Sequence, residues 1–174
     1  MVYLSHITSP EKPDFDLQIV LDARHTFADL HFSIQRACGY NSNQTASFFL
    51  SGRSPSKQIE VSEMYSRFAG FLNYSMGKTQ LKCLLKSKQE RLSYVFDFFQ
   101  DRSFYIELTQ IYMEKTLVEP FITSMNGDAP AQILEEEVEE QGIESLKPEE
   151  RYDYGDLDDY TEIFGEMEDL LEGR

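Results

Sequence analysis

Asp97, Tyr105 and Glu107 come nearest to carrying chemistry in this chain. All three fall within one aromatic-rich stretch, Leu92 to Tyr112, LSYVFDFFQDRSFYIELTQIY. Two carboxylates on neighbouring strands can share a proton or hold a cation, and a nearby phenol can donate to either. The competing reading is structural, because partly exposed strand carboxylates are common and Asp97 beside a turn suits a hydrogen-bonding role. His31 is a further candidate base or ligand. It sits on an apolar stripe with no Cys, Asp or His four positions away, so a satisfied buried histidine is the simpler reading. His6 and His25 match no zinc spacing. Arg53 and Ser54 lack the arginine cluster that a nucleophilic serine needs for phosphoryl transfer. No catalytic, cofactor-binding or metal-ligating set emerges, and no cofactor is expected.

A second group is basic: Lys78, Lys82, Lys86, Lys88 and Arg91, diluted only by Glu90. Such a run is usually a solvated face. It can also contact phosphates, or receive a negatively charged segment of the same chain.

That segment exists. The net charge is −15, but residues 135–174 hold 17 acids against Lys147, Arg151 and Arg174, a net −14. Residues 1–134 hold 14 acids against 13 bases, a net −1. An electrically balanced body therefore bears an acidic tail. A tail of that charge repels phosphates within the ~10 Å screening length, so nucleic acid is possible but not favoured as a partner. Two cysteines, Cys38 and Cys83, fit no paired spacing and read as free thiols. No apolar run approaches the roughly 18 residues of a membrane span. The opening MVYLSHITSPEKPDFD lacks the pattern of a secretory signal. The expectation is a cytoplasmic protein without a membrane partner.

The elements that position these groups follow from periodicity. Residues 1–14 read as a loose lead-in broken by Pro10 and Pro13, and Phe15 to Leu21 as a first strand. Thr26 to Cys38 is the best helix: Thr26 and Asp29 form a capping box, Gly39 stops it, and Phe27, Leu30, His31, Ile34, Ala37 and Cys38 make one stripe. Ala46 to Leu50 reads as a strand, Gln58 to Val61 as an edge strand, and Ser62 to Tyr74 as a weak helix. Gln80 to Leu85 reads as a helical turn or a strand.

Leu92–Tyr112 reads as a hairpin. Placing its apolar sets on one face predicts Phe98 opposite Phe104, Phe96 opposite Ile106 and Tyr94 opposite Leu108, with a loop of about three residues, Gln100 to Arg102. Asp97 then faces Tyr105, and Val95 faces Glu107. A loop runs from Pro120 to a turn at Asn126-Gly127. In the tail, QILEEEVEEQ is expected to form a short acidic helix. DLDDYTEIFGEMEDLLEG puts Leu157, Tyr160, Phe164, Met167 and Leu171 on one helical face, suited to a partner's groove.

Two segments resemble the plasmid ORF-3-like proteins, transposon-passenger proteins often labelled TnpR-type. TFADLHFSIQRACGY is similar to that family's T-L-x-x-L-H-x-x-I-Q-x-x-x-G-W, matching at Thr26, Leu30, His31, Ile34, Gln35 and Gly39. YVFDFFQDRSFYIEL is similar to its Y-x-Y-D-F-G-D-x-W-x-H-x-I-x-L, matching at Tyr94, Asp97, Phe98, Ile106 and Leu108. NGDAPAQ resembles a later Gly-x-x-Pro stretch. Phe99-Gln100 replaces the family's Gly-Asp, Arg102 its Trp and Phe104 its His. If those polar residues form a site in relatives, this chain has lost most of it. The resemblance implies an α+β fold and no established activity.

The combined expectation is an α+β fold: a mainly antiparallel sheet with the capped amphipathic helix packed on one face, plus an acidic helical C-terminal extension. Residues 1–132 form the domain and 133–174 the tail. The expected function is a non-enzymatic binding module whose tail recruits a protein partner or masks the body's own basic surface. The alternatives are a DNA-binding protein of mobile elements and an enzyme in which Asp97, Glu107 and His31 converge.

Overall fold

Two-residue alternation recurs along the body, and strands dominate it. The computed structural model describes residues 1–51, 58–64 and 71–134. These form β1 (Val2–Thr8), β2 (Asp16–Asp22), α1 (Phe27–Cys38), β3 (Ser47–Ser51), β4 (Gln58–Ser62), β5 (Phe71–Ser75), α2 (Leu81–Leu84), β6 (Arg91–Asp97), β7 (Arg102–Tyr112) and β8 (Phe121–Asn126). All eight strands join one sheet in the order β5-β4-β3-β6-β7-β1-β2-β8. Neighbours run antiparallel except β4 and β5, which are parallel. The two acidic helices expected in the tail lie outside the described residues, as does the Arg53–Ser54 loop.

The first helix forms where its local signals put it. Thr26 Oγ1 accepts from Asp29 N–H at 3.2 Å, and Asp29 Oδ2 accepts from Thr26 N–H at 2.7 Å. Gly39 closes the helix at φ 67°, a conformation that costs glycine nothing. The apolar stripe buries Phe27, Leu30 and Ile34 completely. Phe27 meets Phe48 of β3 edge-on, at 5.4 Å between ring centroids. Each such side chain contributes about 1.5–3 kcal/mol. The sheet supplies Tyr3, Ile7, Leu17, Ile19, Leu21, Phe48, Tyr94, Phe104, Ile106 and Leu108 to the same core. Phe104 is at its centre, stacked with Phe15 at 5.1 Å and near Phe96 at 4.9 Å.

Four elements differ from the sequence reading. Residues 2–8 are β1, not a lead-in, paired with β2 on one side and β7 on the other. Its inward set is Tyr3, Ser5 and Ile7; the central serine hides the alternation, and the register with β7 shifts at that point, between Leu4 and Ser5. Residues 71–75 are a strand, not the end of a helix, so β4 is internal and β5 takes the edge. The segment after Pro120 is β8, paired with β2. Gly127 follows it at φ 69°, where a Cβ would sit 2.5 Å from the Asp14 carbonyl oxygen.

The fourth difference is the hairpin. Tyr94 lies opposite Phe104 and Leu92 opposite Ile106, while Phe98 and Phe99 sit exposed in the turn. The turn is four residues, Phe98 to Asp101, with Asp101 in the left-handed region at φ 52°. Such a turn alone would reverse one strand's faces. A bulge between Val95 and Asp97 inserts one residue into β6 and restores the parity, so both apolar sets still face the core.

Candidate functional site on the open face of the sheet

Alternation delivers a second set of side chains to the face away from α1. Cross-strand register arranges them in rows. Arg91 of β6, Glu107 of β7, His6 of β1 and Gln18 of β2 form one row. Phe49 of β3, Ser93 of β6, Tyr105 of β7, Thr8 of β1 and Asp16 of β2 form the next. A cleft of about 500 Å³ opens here, lined by His6, Thr8, Phe49, Arg91, Ser93, Tyr105 and Glu107. A hollow of about 460 Å³ adjoins it and shares Phe49, Ser93 and Tyr105.

Polar groups along the cleft are matched in pairs. Arg91 Nε donates to Glu107 Oε2 at 2.9 Å, and His6 Nε2 hydrogen-bonds Asp16 Oδ2. The Arg91 side chain is 79% exposed, so that pair is weakly stabilising. Tyr105 is 55% exposed.

The expected polar set therefore divides. Tyr105 and Glu107 belong to this cleft, two positions apart on β7. Asp97 does not join them. It lies opposite Arg102, where Oδ1 accepts from the backbone N–H groups of Phe99 and Gln100 at 3.0 and 3.2 Å. Val95 faces Ser103, and Arg91 takes the position expected for it opposite Glu107. Six positions along β6 separate Arg91 from Asp97, roughly 20 Å. His31 is on the sealed face. Asp97, Glu107 and His31 do not converge, and the enzyme built on them has no geometric basis.

His31 is fully buried beside Tyr94, with the phenol oxygen 2.8 Å from Nδ1. Burial lowers the His31 pKa, opposed by the Glu63 carboxylate 3.5 Å from Nε2. Burial also raises the Tyr94 pKa. The pair is a neutral hydroxyl donating to a neutral ring. Burial pushes the Cys38 thiol up to about 12, which leaves it protonated and unreactive.

The basic run disperses. Lys78, Lys82 and Lys86 are exposed around α2. Lys88 Nζ donates to Gln110 Oε1 at 2.9 Å, and Arg91 belongs to the cleft. Glu90 accepts from Lys86 N–H at 2.6 Å and from Ser87 Oγ at 3.0 Å, tying the loop together. The helical face Leu157, Tyr160, Phe164, Met167 and Leu171 lies outside the described residues.

Sequence reasoning missed His6, Thr8, Asp16, Phe49 and Ser93 as companions of Tyr105. The polar alternation of His6 and Thr8 was visible in the chain. What joins them to β7 is register between segments about a hundred residues apart.

Two of the positions that depart from the family pattern, Arg102 and Phe104, are structural here. Phe104 fills the core. Arg102, 7% exposed, clasps three segments. Its Nε and Nη2 donate to the two Glu11 carboxylate oxygens, each at 2.9 Å, and Nη2 also donates to Ala131 O at 2.6 Å. The guanidinium packs 5.1 Å from the Phe96 ring centre. Among the described residues no group of three or more His, Cys, Asp and Glu is placed to hold a metal ion. Nor is any helix among them long and apolar enough to cross a membrane.

Comparison with known proteins agrees with this architecture. A crystal structure of a protein of unknown function from Methanosarcina mazei Go1 superposes with a TM-score of 0.58 at 19% identity. The match covers 71% of this chain and 68% of that one, a likeness of fold alone. No curated protein matches. The family model for plasmid pRiA4b ORF-3-like proteins matches residues 11–146, so the chain belongs to that family.

Proposed function

We propose that this protein is a non-enzymatic binding module of the cytoplasm, with the open sheet face as its recognition surface. The observation that carries the reading is the cleft, where the half-buried Phe49 ring and the exposed Tyr105 ring lie among polar groups already matched in pairs. Such a surface presents stacking area and hydrogen-bonding groups without an unpaired charge to desolvate. The acidic tail, net −14, is the second recognition element. It recruits a protein partner through the Leu157, Tyr160, Phe164, Met167 and Leu171 face, or masks Lys78, Lys82 and Lys86. Deleting residues 135–174 and measuring binding to nucleic acid and to cell extract tests this: the tail has a role if either changes, and none if both stay constant.

A second reading is a DNA-associated protein of mobile elements, favoured by the three exposed lysines around α2. It requires salt-dependent DNA binding by the tail-deleted chain, lost in the Lys82→Glu, Lys86→Glu double variant. A salt-independent response removes it.

A further inference from the structure

The two hollows of the open face meet at a slot with a serine floor. Phe49 is opposite Ser93, and Ser93 is opposite Tyr105, on three adjacent strands. Neighbouring strands are about 4.8 Å apart, so the backbones carrying the two rings are separated by about 9.6 Å. A flat ring in van der Waals contact on both sides needs roughly 7–8 Å between walls. Any larger residue at position 93 would fill that gap; serine leaves it open and offers a hydroxyl. Both hollows are lined by these same three residues. The Phe49 wall is held from its far side by Phe71, edge-on at 5.8 Å. The Tyr105 wall is largely uncovered.

The ends of the slot differ chemically. Arg91 lies two positions from Ser93 along β6, about 7 Å away. Its Nε is engaged by Glu107, and its two Nη groups make no hydrogen bond among the described residues, so the fork is open to a second anion. At the other end the hollow is lined by Ser103 and Asp101, acceptors for an exocyclic donor.

Resting on the binding-module reading, the geometry points to a planar heteroaromatic ligand carrying an acidic group, of the nucleoside monophosphate class, stacked between Phe49 and Tyr105 with its anion on Arg91. A free small ligand fits better than a nucleic-acid strand, because the paired polar groups of the cleft and a body of net −1 provide no track for successive phosphates.

The test is a titration of the full chain with AMP and UMP, read by aromatic and amide NMR shifts and by calorimetry. Ribose 5-phosphate, adenosine and a short oligothymidylate serve as comparison ligands. Saturable shifts at Phe49, Ser93 and Tyr105 are expected. Adenosine binds on the order of tenfold more weakly than AMP, and ribose 5-phosphate does not compete. Ser93→Leu abolishes binding, Ser93→Ala leaves it within about twofold, and Tyr105→Ala weakens it on the order of tenfold. Thermal melting confirms that each variant is folded. Absent shifts, equal binding of ribose 5-phosphate, or an unaffected Ser93→Leu protein overturns the assignment. So does a preference for the oligonucleotide with a steep salt dependence. Should no nucleotide bind while Tyr105→Ala and Arg91→Glu still alter capture of a partner from extract, the ligand class falls and the binding-module reading stands. If those variants alter no binding at all, both fall.

Discussion

The two faces of the sheet share the same strands and oppose each other in nearly every physical respect. On the sealed face alternate residues are aliphatic or aromatic, and Phe104, Tyr94, Phe15 and Ile106 are at most 1% exposed. Two of its polar members, His31 and Tyr94, answer each other and carry no charge. On the open face the same alternation delivers Arg91, Glu107, His6, Ser93 and Tyr105, whose bonds are solvent-accessible: the Arg91–Glu107 ion pair and the His6–Asp16 hydrogen bond. The sealed face carries the free energy of folding. The solvent-exposed positions of the open face are freer to vary without threatening the fold, and so are suited to recognition. Substitutions that move charge or volume from one side to the other put this division at risk.

The largest effect is expected from Ile34→Asp. Ile34 is completely buried on α1, and a carboxylate there loses packing and must be desolvated or protonated without a partner. A loss of about 4–5 kcal/mol is expected, comparable to the whole stability of many domains. Denaturant titration followed by circular dichroism measures it. A cooperative transition at the wild-type midpoint would mean that α1 does not seal this core.

Asp22 sharpens the comparison because it has the open-face parity yet is 1% exposed. Its carboxylate accepts from Arg24 Nε at 2.9 Å, from Arg24 N–H at 2.9 Å and from Leu117 N–H at 3.1 Å, binding the end of β2 to the approach to β8. The Arg24 side-chain hydrogen bond, foremost among these, holds its pKa well below the usual carboxylate range. A depressed folded pKa contributes stability that is complete above the unfolded value of about 3.9 and is lost as pH falls through that value toward the folded one. Asp22→Ala should cost about 2–3 kcal/mol at neutral pH. It should also flatten the fall of stability between about pH 5 and pH 2. Equilibrium unfolding at stepped pH checks both. An acid limb as steep as the wild type would assign the effect to other carboxylates.

Tyr94→Phe is expected to cost about 1–2 kcal/mol by leaving His31 Nδ1 buried without its donor. The cost should shrink when His31→Phe is added, because both polar groups are then gone. A double-mutant cycle by thermal unfolding measures that coupling, and additive costs would break the pair.

How much of this was legible in the sequence follows from how local each signal is. The first helix was fully readable: its cap, stripe and stop lie within fourteen residues, Thr26 to Gly39. The hairpin's inward faces were readable from period two, but not its register. The bulge between Val95 and Asp97 leaves no local signature, and it lets a four-residue turn keep the faces that a three-residue turn was expected to keep. β1 was hidden because Ser5 interrupts its apolar set, and because its strand character comes from β2 and β7 on either side. β8 was hidden because only one side of it is paired, so its exposure pattern is weak. Tyr105 and Glu107 were found by alternation. Asp97 was misplaced by the register, and Ser93 had no signal at all, since a small polar residue matters here only for what stands on either side of it.

The smallest expected change in stability is the one that tests the division most directly. Arg91 and Glu107 are joined at 2.9 Å, but with side chains 79% and 33% exposed their attraction is screened by water and opposed by side-chain entropy. Glu107→Gln should shift stability by less than about 1 kcal/mol, and Arg91→Gln by a similar amount. Their consequences for an anionic ligand should nevertheless be opposite in sign. Glu107→Gln removes the carboxylate that competes for the guanidinium and should strengthen binding, whereas Arg91→Gln removes the guanidinium itself and should weaken it. Melting temperatures and ligand titrations on the same two samples separate fold from recognition. A pair of variants that destabilise strongly would place this ion pair among the elements that hold the sheet together, and the open face would then share the work of the sealed one.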